Sequence, residues 1–256
     1  MLTTSPTIAG VSFPFCLMNA AGALSTSRTE LVALAYSDAG AVVTKSITPE
    51  SFLDPGASCG IENPGKDYYV KLLPELHRAG KPIITSVAGL TIDEFILVAR
   101  SLAAAGADLI EINLNDPHVH THVAPFASSA RLYEVISIIH QAVPTPLAIK
   151  FPAHIPLPLT DVAKVLMDAA IPAAVCHNTS INGAPSQAQT ILNETKGALD
   201  ILGVGGVSSG ADIVALLQSG LKALQVASAV VKEGVSAFTR LKRELASCME
   251  PRAAAL

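Results

Sequence analysis

The stretch Leu109-Ile110-Glu111-Ile112-Asn113-Leu114-Asn115-Asp116-Pro117-His118 contains the pattern on which the whole chain is built. Leucyl and β-branched residues alternate with polar residues, and the alternation stops at a proline, which predicts a strand over residues 109–115 that runs into a loop. Asn113 and Asn115 lie two positions apart, so they point to the same side of that strand, and Asp116 follows on the turn. Amides and a carboxylate gathered at a strand end indicate a small-molecule site and not a core.

Short strand patterns and longer helical patterns alternate along the rest of the chain. They predict eight strands, over residues 15–19, 41–45, 82–87, 109–115, 146–151, 173–178, 200–204 and 223–228. A helix follows each strand, over residues 28–37, 68–79, 92–105, 129–142, 160–169, 187–196, 209–219 and 231–246, and Ser27, Asp67 and Thr91 are the expected N-caps of the first three. Eight strand–helix units without a linker in 256 residues predict an α/β protein with a single domain over residues 1–256, a TIM (β/α)8 barrel.

The composition narrows the class of protein. Half of the residues are hydrophobic, 15% are charged and the formal net charge is −4, which favours a large core and offers no basic surface to nucleic acid. No run reaches the ~18 apolar residues of a membrane span, and the first residues, MLTTSPTIAG, lack a signal-peptide pattern, so we expect no membrane association. Cys16, Cys59, Cys176 and Cys248 are far apart, which argues against disulfides and zinc and fits a reducing cytoplasm.

The predicted strand ends carry polar residues that a purely structural strand seldom needs. The site of a TIM barrel lies at the carboxyl ends of its strands, which here are Asn19, Lys45-Ser46, Ser86, Asn113 with Asn115, Lys150, Asn178, Gly205-Gly206 and Ala227-Ser228. A lysine in such a place costs desolvation unless something negative faces it, so Lys45 and Lys150 indicate an anionic substrate or an electron-rich ring. The alternative is that both lysines reach solvent at the barrel rim.

The sequence GVGGVSSG at residues 203–210 follows the seventh predicted strand and opens a helix. Free N–H groups at a helix N-terminus bind anions, and glycines let a phosphate come close. The sequence therefore predicts a phosphate site that Ala227 and Ser228, after the eighth strand, complete. A tight turn with a capped helix is the alternative interpretation.

Two further features could carry chemistry. His118, His120 and His122 alternate, so an extended segment would place them on one face, where they could bind a metal. No matching carboxylate pattern accompanies them, and we predict no metal site. Cys59 lies in a loop without a paired histidine, which favours an inert thiol over a nucleophile.

Eight motifs follow one another in the order of a known family. They are MNAAG (18–22), TKS (44–46), NPGKDYY (63–69), SVAG (86–89), EINLNDP (111–117), IKFP (149–152), GVGGVSSG (203–210) and LQVAS (224–228), and together they span nearly the whole chain. The sequence resembles dihydroorotate dehydrogenase, closest to the soluble subfamily that uses fumarate. The resemblance implies a TIM barrel with FMN above its C-terminal face, and hydride exchange between the flavin and a CH–CH or C=C bond of a small ring or enoate.

The resemblance also implies roles for individual residues. The backbone of Ala20, Ala21 and Gly22 would run along the flavin, Lys45, Ser46, Asn113, Lys150 and Asn178 would contact it, and Gly205, Gly206, Ala227 and Ser228 would hold its phosphate. The substrate-binding residues would be Lys45, Cys59, Gly60, Ile61, Asn113, Asn178 and Thr179.

The sequence departs from the family pattern where the family binds substrate. The subfamily's base, a cysteine in an N-L-S-C-P-N run, is here Asp116, the last asparagine of that run is His118, and a further substrate asparagine is Ala57. A glycine-rich segment after strand six is missing. Unmatched polar groups in a buried pocket are costly, so these changes are expected to redirect specificity away from dihydroorotate. Asp116 and Lys45 are the predicted catalytic residues, and the alternative is that Asp116 binds a cationic or hydroxylated substrate.

Other functions stay open at this point. A flavin-independent lyase or aldolase could use Lys150 or Lys45 as a Schiff-base lysine, with the strand-seven glycines on a substrate phosphate. A homologue without catalysis could bind a ligand only. The resemblance implies a homodimer with a small-molecule substrate, and a place in pyrimidine biosynthesis if that substrate is dihydroorotate; the cytoplasmic location is expected from the cysteines. The sequence does not name the electron acceptor.

Overall fold

Eight parallel strands form the centre of the protein, and helices cover their outer side. The computed structural model describes residues 2–52, 62–178 and 185–250. A hairpin of β1 (Thr7–Ile8) and β2 (Val11–Ser12) precedes the barrel strands, which are β3 (Leu17–Asn19), β4 (Val42–Val43), β5 (Ile83–Val87), β6 (Leu109–Asn113), β7 (Leu147–Lys150), β8 (Ala173–His177), β9 (Asp200–Val204) and β10 (Ala223–Val226). They pair in the order β3-β10-β9-β8-β7-β6-β5-β4. The predicted TIM barrel is confirmed.

The helices alternate with these strands. They are α1 (Arg28–Ala35), α2 (Lys66–Leu76), α3 (Ile92–Ala104), α4 (Pro117–His122), α5 (Ser129–Ala142), α6 (Leu159–Asp168), α7 (Gln187–Thr195), α8 (Gly210–Gln218), α9 (Ser228–Glu233) and α10 (Ser236–Met249), with a 3-10 turn over His77–Ala79 after α2. Within the described residues, no helix is both long and apolar enough to cross a bilayer.

The helix starts follow the predicted caps with one exception. Ser27 accepts a hydrogen bond from the Glu30 N–H and forms the expected capping box, and Thr91 caps α3 through the Glu94 N–H. The prediction for α2 is wrong, because Gly65 is its N-cap and Asp67 lies in its first turn. An acidic residue there interacts favourably with the helix dipole without capping the helix.

The last two helices differ from the single helix predicted over residues 231–246. Ser228 begins α9 directly after β10, so the eighth strand ends before Ala227 and Ser228 and not at them. Gly234, with φ +68°, then ends α9 and lets the chain start α10 in a new direction. A left-handed φ is incompatible with helix continuation, and glycine adopts it at little cost.

The strand alternation separates two layers of the core. Along β6, Ile110 and Ile112 pack between the sheet and the helices, whereas Leu109 packs with the residues that fill the barrel. The filling residues of the other strands include small ones at Ala148, Ala173 and Ala223. Bulky branched residues usually occupy these layers, so the alanines leave space inside the barrel. The larger polar side chains of Glu111 in β6, Lys150 in β7 and Gln225 in β10 fill that space.

Candidate active site

An ion pair lies inside the barrel at its carboxyl end. The Lys150 Nζ, from the end of β7, is 3.2 Å from the Glu111 Oε1 of β6 and 3.2 Å from the Gln225 Oε1 of β10. Gln225 donates from its Nε2 to the Glu111 Oε2 at 2.6 Å. Glu111 and Gln225 are inaccessible to solvent and Lys150 is nearly so. Two buried charges are tolerated here because each satisfies the other and the amide bridges them.

This arrangement corrects the alternative interpretation of Lys150, because the ammonium does not reach solvent at the rim. Its negative partner within the protein is the Glu111 carboxylate. Sequence reasoning missed Glu111 and Gln225 as site residues because both lie within strands and not at their ends. The signal was present in the alternation, since Glu111 falls on the same inward side as Leu109 and Asn113, and a charge at an inward position needs a partner.

A second set of polar side chains connects Glu111 to the strand end at Asn113. Ser86 donates from its Oγ to the Glu111 Oε1 at 3.0 Å, and the Oγ atoms of Ser46 and Ser86 are 3.1 Å apart. Asn113 donates from its Nδ2 to the Ser46 Oγ at 2.8 Å, and its Oδ1 accepts the Asn115 N–H at 3.0 Å. The structure thus brings Ser46, Asn113 and Lys150, three predicted cofactor residues, into one hydrogen-bonded network.

Lys45 lies beside the loop after β3. A Cβ on Gly22 would be 3.5 Å from the Lys45 Nζ, so the glycine backbone lies against the ammonium. Gly22 has φ +92°, a conformation that favours glycine, and its N–H donates to the Ser25 Oγ. The Ala20 N–H donates to the Val226 carbonyl of the neighbouring strand, which fixes the start of this loop. Gly22 and Lys45, two of the residues that the resemblance places at the flavin, therefore lie side by side.

Asn178 follows β8 and packs onto Gly203 of β9 and the two glycines that follow this strand. Its Nδ2 donates to the Gly205 carbonyl at 2.9 Å, and a Cβ on Gly203 would be 2.3 Å from its Oδ1. The Oδ1 is buried and has no donor within the described residues. Gly205 and Gly206 have φ of +86° and +72°. Asn178 therefore presents an unsatisfied acceptor beside a backbone without side chains.

The helix N-terminus of the predicted phosphate loop is already capped by carboxylates. The Asp212 Oδ2 accepts the N–H groups of both Ser208 and Ser209, and the Glu244 Oε2 accepts the Gly210 N–H at 2.9 Å. These hydrogen bonds hold the Asp212 pKa below its ordinary value, with the Ser208 hydroxyl as the largest contribution. A phosphate at this helix N-terminus would meet negative charge, so the capped-turn interpretation is correct for residues 208–210. Only Gly205 and Gly206 of the loop remain as candidates.

Asp116 has a structural role in addition to its predicted catalytic one. It is the N-cap of α4, its Oδ1 accepts the His118 N–H at 2.8 Å, and Pro117 is the first residue of the helix. The side chain is buried but borders a cavity of about 170 Å³ between the loops after β4, β5 and β6. Residues 48–52, residues 88–90 and Glu94 supply the other walls together with His118 and Val119. Glu50, Glu94 and Asp116 are acidic, and no described residue of this lining is a lysine or an arginine.

The three alternating histidines lie on α4 and not on an extended segment, so the three do not all share one face. His118 makes an edge contact with Phe52, and the His120 Nε2 hydrogen-bonds with the Leu114 carbonyl at 2.6 Å. No group of metal-binding side chains occurs in residues 2–52, 62–178 and 185–250. Proline at the first helical position after an Asp cap favours a helix start, which the alternation obscured.

Burial changes the acidity of several groups. The pKa of His177, at the end of β8, is lowered first by burial and then by the nearby Lys150 ammonium. Burial raises the pKa of the Cys16 thiol to about 12 and raises that of Cys176 as well, so both are inert. Four predicted substrate residues, Cys59, Gly60, Ile61 and Thr179, and the replaced position Ala57 lie outside the described residues.

A (β/α)8 barrel whose strand ends gather lysine, asparagine and serine side chains places the protein in the TIM-barrel class, in which functional sites lie at that end of the barrel. The family model described as dihydroorotate dehydrogenase matches residues 1–197 and 184–249, and the chain therefore belongs to that family.

Relatives agree with this membership, and a solved structure shares the fold. A dihydroorotate dehydrogenase (fumarate) of Trypanosoma cruzi is 28% identical, with 91% of this chain and 88% of the relative aligned. A dihydroorotate dehydrogenase B (NAD(+)) catalytic subunit of Methanocaldococcus jannaschii is 27% identical over 98% of this chain and 94% of that protein. The ligand-free enzyme from Eimeria tenella superposes with a TM-score of 0.80 at 16% identity, covering 96% of this chain and 87% of that chain, which shows the shared fold.

The alignments also show that this chain is the shorter one. The alignment with the Methanocaldococcus jannaschii subunit runs over 294 positions, more than the 256 residues of the chain. The relative therefore carries segments that this chain lacks.

Proposed function

We propose that this protein is an FMN-dependent oxidoreductase that exchanges a hydride between the flavin and a CH–CH or C=C bond of a small ring or enoate substrate. Membership of the dihydroorotate dehydrogenase family supports the class of reaction. One structural observation carries the proposal for this chain. Lys150, Asn113 and Asn178 stand at strand ends with hydrogen-bonding capacity that the described protein does not use.

That unused capacity matches the chemistry of a flavin. Two of the three N–H groups of Lys150 donate hydrogen bonds within the barrel. One of the two N–H groups on the Asn113 Nδ2 donates to Ser46. Asn178 has an acceptor oxygen without a donor in the described part of the chain. The pyrimidine edge of a flavin offers acceptors and one N–H donor, so two donors and an acceptor are complementary to it. Bound FMN would supply the ring nitrogen that takes or gives the hydride.

The backbone of neighbouring loops provides the remaining contacts. Gly22 lies against Lys45 without a side chain, and residues 20–22 would lie along the flavin. Gly205 and Gly206 leave room for an anion to approach the backbone, and Ala227 and Ser228 lie between β10 and α9, beside them in the sheet order. These four residues would hold the phosphate. Lys45 and Ser46 would contact the ring, and Lys45 together with Asn113 and Asn178 would also contact the substrate.

The cavity beside Asp116 supports a proposal about the part of the substrate that would lie in it. Its described lining has three carboxylates, at Glu50, Glu94 and Asp116, and no cationic side chain of lysine or arginine. An anionic group placed there would be repelled. We therefore propose that the part of the substrate next to Asp116 is neutral or cationic, with Asp116 as the proton acceptor.

A purified sample tests the cofactor directly. We expect yellow protein with flavin absorbance, or uptake of added FMN by colourless protein, followed by turnover of dihydroorotate or a ring analogue without the carboxylate with fumarate, a quinone or NAD(+) as acceptor. Lys150→Met should abolish FMN uptake, whereas Lys164→Met, an exposed lysine of α6, should leave it unchanged. Wild-type protein that takes up no FMN overturns the proposal.

A Schiff-base mechanism on Lys150 is less consistent with the site. A lysine attacks a carbonyl through its nitrogen, and the Lys150 Nζ is already hydrogen-bonded to Glu111 and Gln225 inside the barrel. Borohydride trapping of a carbonyl substrate on Lys150 would favour this second function. We also propose a cytoplasmic location and a homodimer, which cell fractionation and the mass of the protein in solution will test.

A further inference from the structure

We propose that Glu111 is the positioning residue of the cofactor site, because its carboxylate sets the direction of the hydrogen bonds that reach both Asn113 and Lys150. The inference rests on the proposed function for what those two residues bind. It concerns a residue within the barrel that would touch neither FMN nor substrate.

The direction of the bonds follows from the number of protons on each group. A carboxylate only accepts, so the Ser86 hydroxyl uses its one proton on Glu111. Ser86 must then accept a hydrogen bond from the Ser46 hydroxyl. Because Ser46 donates its one hydroxyl proton to Ser86, it must accept from the Asn113 Nδ2. The Asn113 amide thereby turns its Nδ2 towards Ser46, and the Asn115 N–H on its Oδ1 requires the same orientation.

Glu111 also determines what Lys150 can offer. Its Oε1 accepts from Lys150 and its Oε2 accepts from Gln225, which turns the Gln225 oxygen towards Lys150. Two of the three ammonium protons are held by these oxygens. The third has no acceptor within the described residues. One carboxylate therefore leaves one N–H on Lys150 and one on Asn113 for a ligand.

A glutamine in place of Glu111 cannot satisfy the same neighbours. If its amide nitrogen faces Ser86 and Lys150, it opposes the ammonium. If its nitrogen faces Gln225, the Gln225 amide must flip and turn its own nitrogen towards Lys150. In the Glu111→Gln variant, each orientation of the new amide leaves two donors facing each other, so Lys150 must move. Adding Gln225→Glu resolves the conflict, because the new amide then donates to the new carboxylate while both side chains offer oxygens to Lys150.

The test compares FMN dissociation constants for the wild type, Glu111→Gln, and the exchange Glu111→Gln with Gln225→Glu. We expect the single variant to bind FMN about 10- to 100-fold more weakly, the loss of one hydrogen bond to a charged group, with a changed spectrum of the bound flavin. The exchange should recover most of that affinity. Unchanged FMN affinity in Glu111→Gln, or an exchange no better than the single variant, overturns the inference.

Two further measurements keep the outcome clear. If Glu111→Gln does not fold, Ser86→Ala interrupts the series of hydrogen bonds to Asn113 while leaving the ion pair, and Thr85→Val is the matched control in the adjacent buried position. Ser86→Ala should weaken FMN binding and Thr85→Val should not; equal effects overturn the inference. Wild-type protein that binds no FMN defeats the proposed function instead. In that case the unfolding free energies of the apoproteins still report whether the exchange restores the network.

Discussion

The Asn19 side chain hydrogen-bonds with both backbone groups of Val43. Its Oδ1 accepts the Val43 N–H at 2.9 Å, and its Nδ2 donates to the Val43 carbonyl at 2.6 Å. The two residues belong to β3 and β4, the strands at opposite ends of the sheet order, so a side-chain amide replaces a peptide group where the barrel closes. Asn19 is the first of the polar strand ends, and its role is structural.

Asn19→Asp should destabilise the protein without changing its shape. The carboxylate accepts the Val43 N–H but cannot donate to the Val43 carbonyl, which is left facing a buried negative charge. We expect a loss of at least about 2 kcal/mol in the free energy of unfolding, measured with urea. Asn193→Asp, an exposed asparagine of α7, is the control and should change stability by less than about 0.5 kcal/mol. Equal stability of the two variants would show that other contacts hold β3 and β4 together.

Gly203 matters because of the side chain that packs on it. A Cβ at position 203 would be 2.3 Å from the Asn178 Oδ1 and 2.8 Å from its Cγ, so Gly203→Ala must push the amide out of place. We expect Gly203→Ala to weaken FMN binding by about tenfold, because the displaced amide loses its contact. Asn178→Ala should weaken it by a similar factor.

The double variant separates this mechanism from a general defect of the strand. With Asn178 truncated, the added methyl of Gly203→Ala meets no amide, and it should cost no further affinity or stability. Isothermal titration with FMN and urea unfolding of the four proteins complete the cycle. Additive losses in the double variant would mean that the methyl acts on something other than Asn178.

The sequence was sufficient to predict the barrel because the periodicity of its strands and that of its helices are both local signals. Residues 109–113 alternate inward and outward as predicted, and the capping boxes at Ser27 and Ser209 mark helix starts. Contacts between residues that are distant in sequence cannot be predicted from any one segment. The partner of Lys150 is Glu111, thirty-nine positions away, and the partner of Glu111 is Gln225. Only closure of the barrel brings the three strands together.

Short-range signals also failed where two of them competed. The alternation of His118, His120 and His122 suggests an extended segment, but Asp116 followed by Pro117 is a strong helix start, and the helix forms. At residues 203–210 the glycines and the helix start suggest one phosphate site. Asp212 and Glu244 separate the two features, because their carboxylates occupy the N–H groups of residues 208–210, whereas the backbone at Gly205 and Gly206 carries no such cap.

Asp116→Asn should separate the structural role of Asp116 from its proposed chemistry. Asparagine is as good an N-cap as aspartate, so the side-chain oxygen still accepts the His118 N–H and α4 still forms. We expect stability within about 0.5 kcal/mol of the wild type and a rate of flavin reduction by substrate lower by about 10²- to 10⁴-fold, the usual effect of removing a general base. Reoxidation of the reduced flavin should be unchanged.

Stopped-flow absorbance resolves the two half-reactions. Asp67→Asn, on the surface of α2, is the control and should reduce neither rate. An unaltered reduction rate in Asp116→Asn would remove Asp116 from proton transfer and leave it as a cap and a specificity group.

His177 should make the barrel sensitive to mild acid. Burial and the Lys150 ammonium lower its pKa in the folded protein below the ordinary value of 6.5. Above that value the imidazole is neutral in both states, so its full contribution to stability is present. As the pH falls towards the lower folded pKa, the unfolded chain takes up a proton that the folded protein does not, and stability is lost.

His177→Asn isolates this effect. Unfolding free energies of the wild type and variant are measured between about pH 7 and about pH 5, above the range in which the paired carboxylates titrate. We expect the stability of the wild type relative to the variant to decrease as the pH is lowered. His154→Asn, an exposed histidine, should show no such trend. If the unfolding free energy of the wild type instead increases relative to that of His177→Asn as the pH falls, the barrel stabilises the imidazolium, and Lys150 does not oppose it.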